Sequence, residues 1–168
     1  MVIGIPKPVQ RNELSFRDSS RDVAQLQQRL NERFHELGIL SIVAVSVDSY
    51  FGPLTLEAVK YLQCLIGIPV DGVVGPQTWK FLEYGMAGLP ILTKGDRGDS
   101  VRAVQNTIWR TQHLPLVIDG VFGPETVRAV QSYQRHFQIK PNGIVSAETW
   151  RKIVSDRLLT LPCSELLP

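Results

Sequence analysis

Apolar side chains recur along this chain at intervals of three and four, and they do so in two matching sets. Val23, Leu26, Leu30, Phe34 and Leu37 form one stripe, and Val101, Val104 and Ile108 form another. That spacing lines one face of an amphipathic α-helix. A second stripe follows a Gly-Pro pair in each half. Ala58, Val59, Leu62 and Ile66 come after Pro53, and Ala129, Val130, Tyr133 and Phe137 after Pro124. A short third helix is predicted from Pro76, with Trp79 and Leu82, and from Ala147, with Trp150 and Ile153. Proline suits the first helical position, where its missing N–H is no loss and its φ is already helical. Asp71-Gly72, Asp119-Gly120 and Asn142-Gly143 stand just upstream of such starts. An Asx-Gly pair favours a tight turn, because the short polar side chain bonds nearby amides and glycine accepts positive φ. The fold class this predicts is all-α.

The two sets are copies. Shifted by 71 residues, segment 47–82 falls on 118–153 with 13 identities in 36 positions, among them Asp48/Asp119, Phe51/Phe122, Pro53/Pro124, Thr55/Thr126, Gln63/Gln134 and Trp79/Trp150. Upstream the match resumes at an offset of 78, where Val23, Leu26, Gln27 and Leu30 meet Val101, Val104, Gln105 and Ile108. The first copy therefore carries seven extra residues within 37–47. A smaller echo lies inside each copy, since Asp119-Gly-Val-Phe-Gly-Pro-Glu-Thr resembles Asp71-Gly-Val-Val-Gly-Pro-Gln-Thr. The expected organisation is an N-terminal extension (1–19), a divergent module (20–84), a linker (85–94), a second module (95–157) and a C-terminal tail (158–168). In the linker, Ile91 and Leu92 are expected to dock. A unit of about 60 residues is marginal alone, so the copies gain by packing together.

Composition narrows the class. With 168 residues, 43% hydrophobic and 20% charged, the chain is neither disordered nor collagen-like. The longest apolar run, residues 42–45, is too short to span a bilayer. The net charge of +2 comes from cations mixed with acids, so no nucleic-acid partner is expected. Pro6 and Pro8 interrupt what would be the core of a secretory signal, and no such signal is read. Cys64 and Cys163 cannot by themselves make a disulfide framework or a four-ligand zinc site, and they leave the redox compartment open. Cys64 replaces Arg135 of the other copy and reads as a free thiol or an inert helix residue.

Little chemistry is left over. His35, His113 and His136 occupy non-equivalent places with no HExxH, so neither metal nor cofactor is expected. Asp48, Asp71 and Asp119 sit at turn positions that already explain them. About 20 residues before the first copy and a dozen after the second leave no length for a catalytic domain, so the chain reads as no enzyme. Gln27, Gln63, Gln105 and Gln134 recur beside the apolar stripes; their amides either tie down loops or bond a ligand. Trp79 and Trp150 serve either as core or as a stacking edge for sugar, while Tyr50, beside a turn, is the aromatic expected to be exposed. A groove is expected where the turns of a copy meet its first helix.

The ordered blocks Val-x-x-Leu-Gln-x-x-Leu, Asp-Gly-x-Phe-Gly-Pro-x-Thr-x-x-Ala-Val and Asp-Gly-x-x-Gly-Pro-x-Thr-Trp resemble the peptidoglycan-binding domain, a three-helix module of bacterial cell-wall enzymes, here in two copies. The first copy departs from the pattern at Arg17, Ser20, Ser49 and Cys64. The resemblance implies non-catalytic binding of wall glycan or stem peptide and tethering to the wall, with a cell-wall hydrolase as partner. It places the chain in the wall, periplasm or extracellular space. Gln27, Tyr50, Gln63, Trp79, Gln105, Asp119, Gln134 and Trp150 are its candidate contacts. The alternative is a protein-interaction or regulatory module on the same fold.

Overall fold

The computed structural model describes residues 11–39, 43–160 and 163. Among them run six α-helices: α1 (Arg21–Glu36), α2 (Pro53–Ile66) and α3 (Pro76–Tyr84), a tight 3-10 turn (Gly85–Gly88), then α4 (Asp99–Gln112), α5 (Pro124–His136) and α6 (Ala147–Thr160). The fold is all-α, two three-helix modules in tandem. α2, α3 and α5 each start on Gly-Pro, with an extended cap glycine and proline in the first turn. α1 starts differently, on the Ser20 hydroxyl, which accepts from the Val23 amide at 3.3 Å. The third helix is short only in the first module, with 9 residues in α3 against 14 in α6. Gly85, at φ 58, turns the chain out of α3, whereas 71 residues on Asp156 continues the helix.

The predicted stripes form the cores. Val23, Leu26, Leu30 and Phe34 of α1, Val59, Leu62 and Ile66 of α2, and Val101, Val104 and Ile108 of α4 are wholly enclosed, together with the turn residues Phe51 and Phe122. Positive φ is kept even where glycine is not. Ser49 (φ 65) and Arg17 (φ 77) hold the left-handed backbone that Gly120 and Gly95 hold in the second module, at roughly 1–2 kcal/mol each.

A short arm precedes each first helix. Leu14 pairs with Val74 and Ser19 with Tyr50; Leu92 pairs with Val145 and Arg97 with Val121. The arms repeat at the same 78 and 71 offsets as the helices. They also receive the tryptophans: the Trp79 indole N–H donates to the Asn12 carbonyl at 3.2 Å and that of Trp150 to the Pro90 carbonyl at 2.7 Å. Stretches written from sequence as extension and linker thus carry pairings to the modules that follow them. Leu92 docks as expected. Ile91, expected to dock beside it, is 68% exposed, because neighbours along an extended arm face opposite ways.

The modules meet where α6 packs against α2 and against the 3-10 turn. Cys64 is bonded to Cys163, with Cα atoms 6.0 Å apart, which overturns the reading of Cys64 as a free thiol or an inert helix residue. The partners stand 99 residues apart in sequence, and only the docking of α6 on α2 brings them together. At the same place Arg157 of α6 is buried and donates to the carbonyls of Leu65 (2.9 Å), Cys64 (2.6 Å) and Ala103 (3.2 Å) and to the Thr107 hydroxyl (3.3 Å). Burial, then repulsion from Arg110, pulls its guanidinium down to about 10, so it stays charged at neutral pH. Gly67, left-handed at φ 71, lets α4 come close, since a Cβ there would collide with Ala103.

Candidate functional site

One polar clasp is built four times. Gln27 Nε2 donates to Asp48 Oδ1 (2.7 Å), the Tyr50 carbonyl (3.0 Å) and Thr55 Oγ1 (3.2 Å), while its Oε1 accepts from the amides of Asp48 and Ser49. Gln63 does the same with Asp71, the Val73 carbonyl, Thr78 and the Gly72 amide. Gln105 holds Asp119, the Val121 carbonyl, Thr126 and the Gly120 amide. Gln134 holds Asn142, the Ile144 carbonyl, Thr149 and the Gly143 amide. Only an amide can serve here, because one end must accept from a backbone N–H and the other donate to a carboxylate and a carbonyl.

Each Asx oxygen also accepts the amide two residues on, which closes the turn: Tyr50, Val73, Val121 and Ile144 donate at 2.8–2.9 Å. The donated Gln27 bond, then the Tyr50 amide, holds the Asp48 carboxyl below its ordinary range; Gln105, then Val121, does so for Asp119. The sequence marks the threonines only as part of the helix-starting pattern, and their place in the clasp comes from the structure. Their signal is a Thr two residues after the first residue of α2, α3, α5 and α6: Thr55, Thr78, Thr126 and Thr149.

The clasps set the placement of the candidate contacts. The amides of all four glutamines are buried, at most 1% exposed, and spent on the turns. Trp79 and Trp150 are core, their N–H groups bonded to the arms, and the Arg11 guanidinium lies 4.5 Å over the Trp79 ring. Asp119 is exposed but already bonded. Tyr50 is 45% exposed, as its turn position predicted, and its ring lies over Gly52.

What a ligand can reach lies on the outside of the clasps. Against the third, where α4, its turn and the start of α5 meet, is a depression of about 430 Å³ walled by Val117, Asp119, Glu125 and Arg128. It sits where the sequence placed a groove. A smaller hollow formed by Leu114, Pro115 and Ser132 adjoins it through Leu116, Glu125 and Arg128. The second clasp has its own depression of about 420 Å³ beside Glu13, Pro69, Asp71 and Gln77. These walls mix exposed carboxylates, a guanidinium and aliphatic surface, with Val117 65% exposed. Such a surface suits hydrogen bonding and apolar contact with a polymer. Among the described residues no three His, Cys, Asp or Glu side chains converge as metal ligands, and no helix is long and apolar enough to cross a membrane.

The family profile described as "Putative peptidoglycan binding domain" matches residues 19–82 and 97–153. Over 65 residues, 38% of this chain and 55% of its relative, the chain is 40% identical to an uncharacterised protein of Kitasatospora aureofaciens. It is 31% identical over 108 residues (58% of this chain, 25% of the relative) to the N-acetylmuramoyl-L-alanine amidase CwlM of Mycobacterium tuberculosis. It is 27% identical over 117 residues (68% and 42%) to the zinc D-Ala-D-Ala carboxypeptidase of Streptomyces albus G. The chain thus spans between a quarter and just over half of these relatives. No solved structure gives a significant match. Two matched segments, each a three-helix module with the same clasped turns, make this chain a member of the peptidoglycan-binding domain family.

Proposed function

We propose that this chain binds bacterial peptidoglycan without cleaving it, and so holds a wall-acting enzyme on its polymer. The observation that carries the reading is the tandem of two family modules with an open groove beside the clasps. The non-catalytic part is supported by the use of the recurrent polar side chains: the four glutamines and their Asx and Thr partners are consumed in building turns. The hydrolase partner is suggested by relatives named as amidases and a carboxypeptidase, of which this chain matches only a part. A location outside the cytoplasm is supported by the Cys64–Cys163 disulfide, since such bonds persist in oxidising compartments.

The test is sedimentation of the pure chain with insoluble sacculi. The expected result is a chain that pellets with the wall and causes no clearing in a gel loaded with the same material. Retention in the supernatant defeats the binding reading, and co-purification with a protein partner would then favour the interaction-module alternative. Clearing of the gel defeats the non-catalytic part.

A further inference from the structure

Between the two modules lies a cleft of about 510 Å³, larger than either turn groove. Its floor is apolar, from Phe81, Met86 and Leu158, and its rim is polar, from Arg33, Tyr84 and Arg151. Arg33 is already occupied: it donates to the carbonyls of Leu82 (3.0 Å) and Glu83 (3.1 Å) and pairs with Glu36 at 2.5 Å. The bend at Gly85 makes room for it, since a Cβ there would stand 3.3 Å from its Nη1. Arg151 differs. It is exposed and has no carboxylate or hydrogen-bond partner among the described residues, and the same is true of the half-buried Tyr84 hydroxyl's bonding. The cleft therefore presents one uncompensated positive charge and one free hydroxyl above an apolar floor.

Neither copy contains this cleft alone. Its walls come from α1, α3 and the 3-10 turn of one module and from α6 of the other. At the 78 offset Arg33 falls on Thr111, so the repeat does not reproduce it. The disulfide and Arg157 hold the walls in a set relation, so a ligand meets a preorganised site. A carboxylate is the complement of Arg151, through charge-assisted hydrogen bonds, and a small aliphatic side chain is the complement of the floor.

We propose that this cleft is a second ligand site, separate from the turn grooves, for a short peptide ending in a small apolar residue with a free carboxylate. Arg151 and the Tyr84 hydroxyl take the carboxylate, and Phe81, Met86 and Leu158 take the side chain. The choice of a peptide among carboxylates rests on the wall-binding reading, because wall polymer carries short peptides.

The test uses the full chain with its disulfide intact, titrated with acetyl-D-alanyl-D-alanine and, separately, with its C-terminal amide, while backbone amide resonances are followed. The expected result is shifts at Tyr84, Met86, Arg151 and Ser155, with the acid bound about tenfold tighter than the amide. Arg151→Gln should remove that preference, and Ser155→Trp, which fills the mouth, should abolish binding of both while the remaining resonances stay in place. No shifts, shifts confined to the turn grooves, equal affinity for acid and amide, or an Arg151→Gln chain that binds like the parent would each overturn the proposal. A chain that binds the acid in the cleft but ignores sacculi sinks the wall reading alone; one that pellets with sacculi but ignores the peptide sinks the cleft alone.

Discussion

The Arg157 guanidinium donates to the carbonyl of Cys64 at 2.6 Å, and the sulfur of that same residue is bonded to Cys163. A buried cation and a covalent bond thus converge on the last turn of α2 from one neighbouring module. The carbonyls of Cys64 and Leu65 lie at the end of that helix, where carbonyls run short of amides; the Gly67 amide reaches only that of Cys64, at 3.3 Å. Arg157 supplies the donors, and the negative end of the helix favours its charge.

Replacing Arg157 by leucine is expected to cost about 2–4 kcal/mol, because it removes the buried donor of the Leu65 carbonyl and the charge that ties α2 to α4. Lysine should recover only part of this, since one ammonium cannot span acceptors on α2 and α4. Urea denaturation of both variants checks the order; equal stability of parent and leucine chain would show that the contact carries nothing.

Reduction of the disulfide is expected to lower the unfolding midpoint without changing the helix content at low temperature. The closed loop is long, with partners 99 residues apart, and the chain-entropy argument places the stabilisation at up to about 4.7 kcal/mol. Thermal unfolding with and without reductant measures it, and the Cys64→Ser chain should match the reduced parent.

The clasp predicts an asymmetry between two changes at one position. Gln105→Leu leaves the buried Gly120 amide without its acceptor and takes one donor from Asp119, and should cost about 2–3 kcal/mol at any pH. Gln105→Glu keeps the shape but sets a second carboxylate against Asp119, 3.0 Å from the amide nitrogen it replaces. Its folded pKa is then raised, so its penalty should grow as pH rises through the carboxylate range and fade in acid. Denaturation curves at two pH values tell the two apart.

The amides donated by Gln27 and Gln105 hold the folded carboxyls of Asp48 and Asp119 below the ordinary aspartate range. Groups lowered in this way contribute stability above their unfolded pKa and lose it as pH falls through the folded value. Acid destabilisation is therefore expected below about pH 4. Asp119→Asn should flatten part of that dependence while keeping the turn, since Asn142 makes the same clasp in the fourth device. A stability–pH profile identical to the parent's would refute the assignment.

At the third clasp, Val117→Asp is expected to weaken retention on sacculi severalfold with no loss of stability, because Val117 is 65% exposed and supports no core. Binding and melting measured on the same preparation separate the two effects.

The periodic stripes, the Gly-Pro starts and the Asx-Gly turns were readable because each depends on neighbours within one or two turns of chain. Even the arms carried a signal, since Leu14, Ser15 and Asp18 stand 78 residues before Leu92, Thr93 and Asp96, and both arms close the same Ser/Thr amide to Asp bond at 2.7 Å. The role of the glutamines was half legible: their recurrence was plain, but whether an amide faces a turn or a ligand depends on where its partners lie in space. Trp79 and Trp150 posed the same question, and the arm carbonyls answered it.

The sequence alone determined the helices, their order, the doubling and the family, because local periodicity and a repeated pattern do not need a third dimension. The tertiary structure decided how the copies meet. Cys64, Arg157, Gly67 and the cleft residues do not repeat and lie far apart along the chain. Contacts between such residues leave no periodic trace; they exist only once two folded surfaces have been brought together.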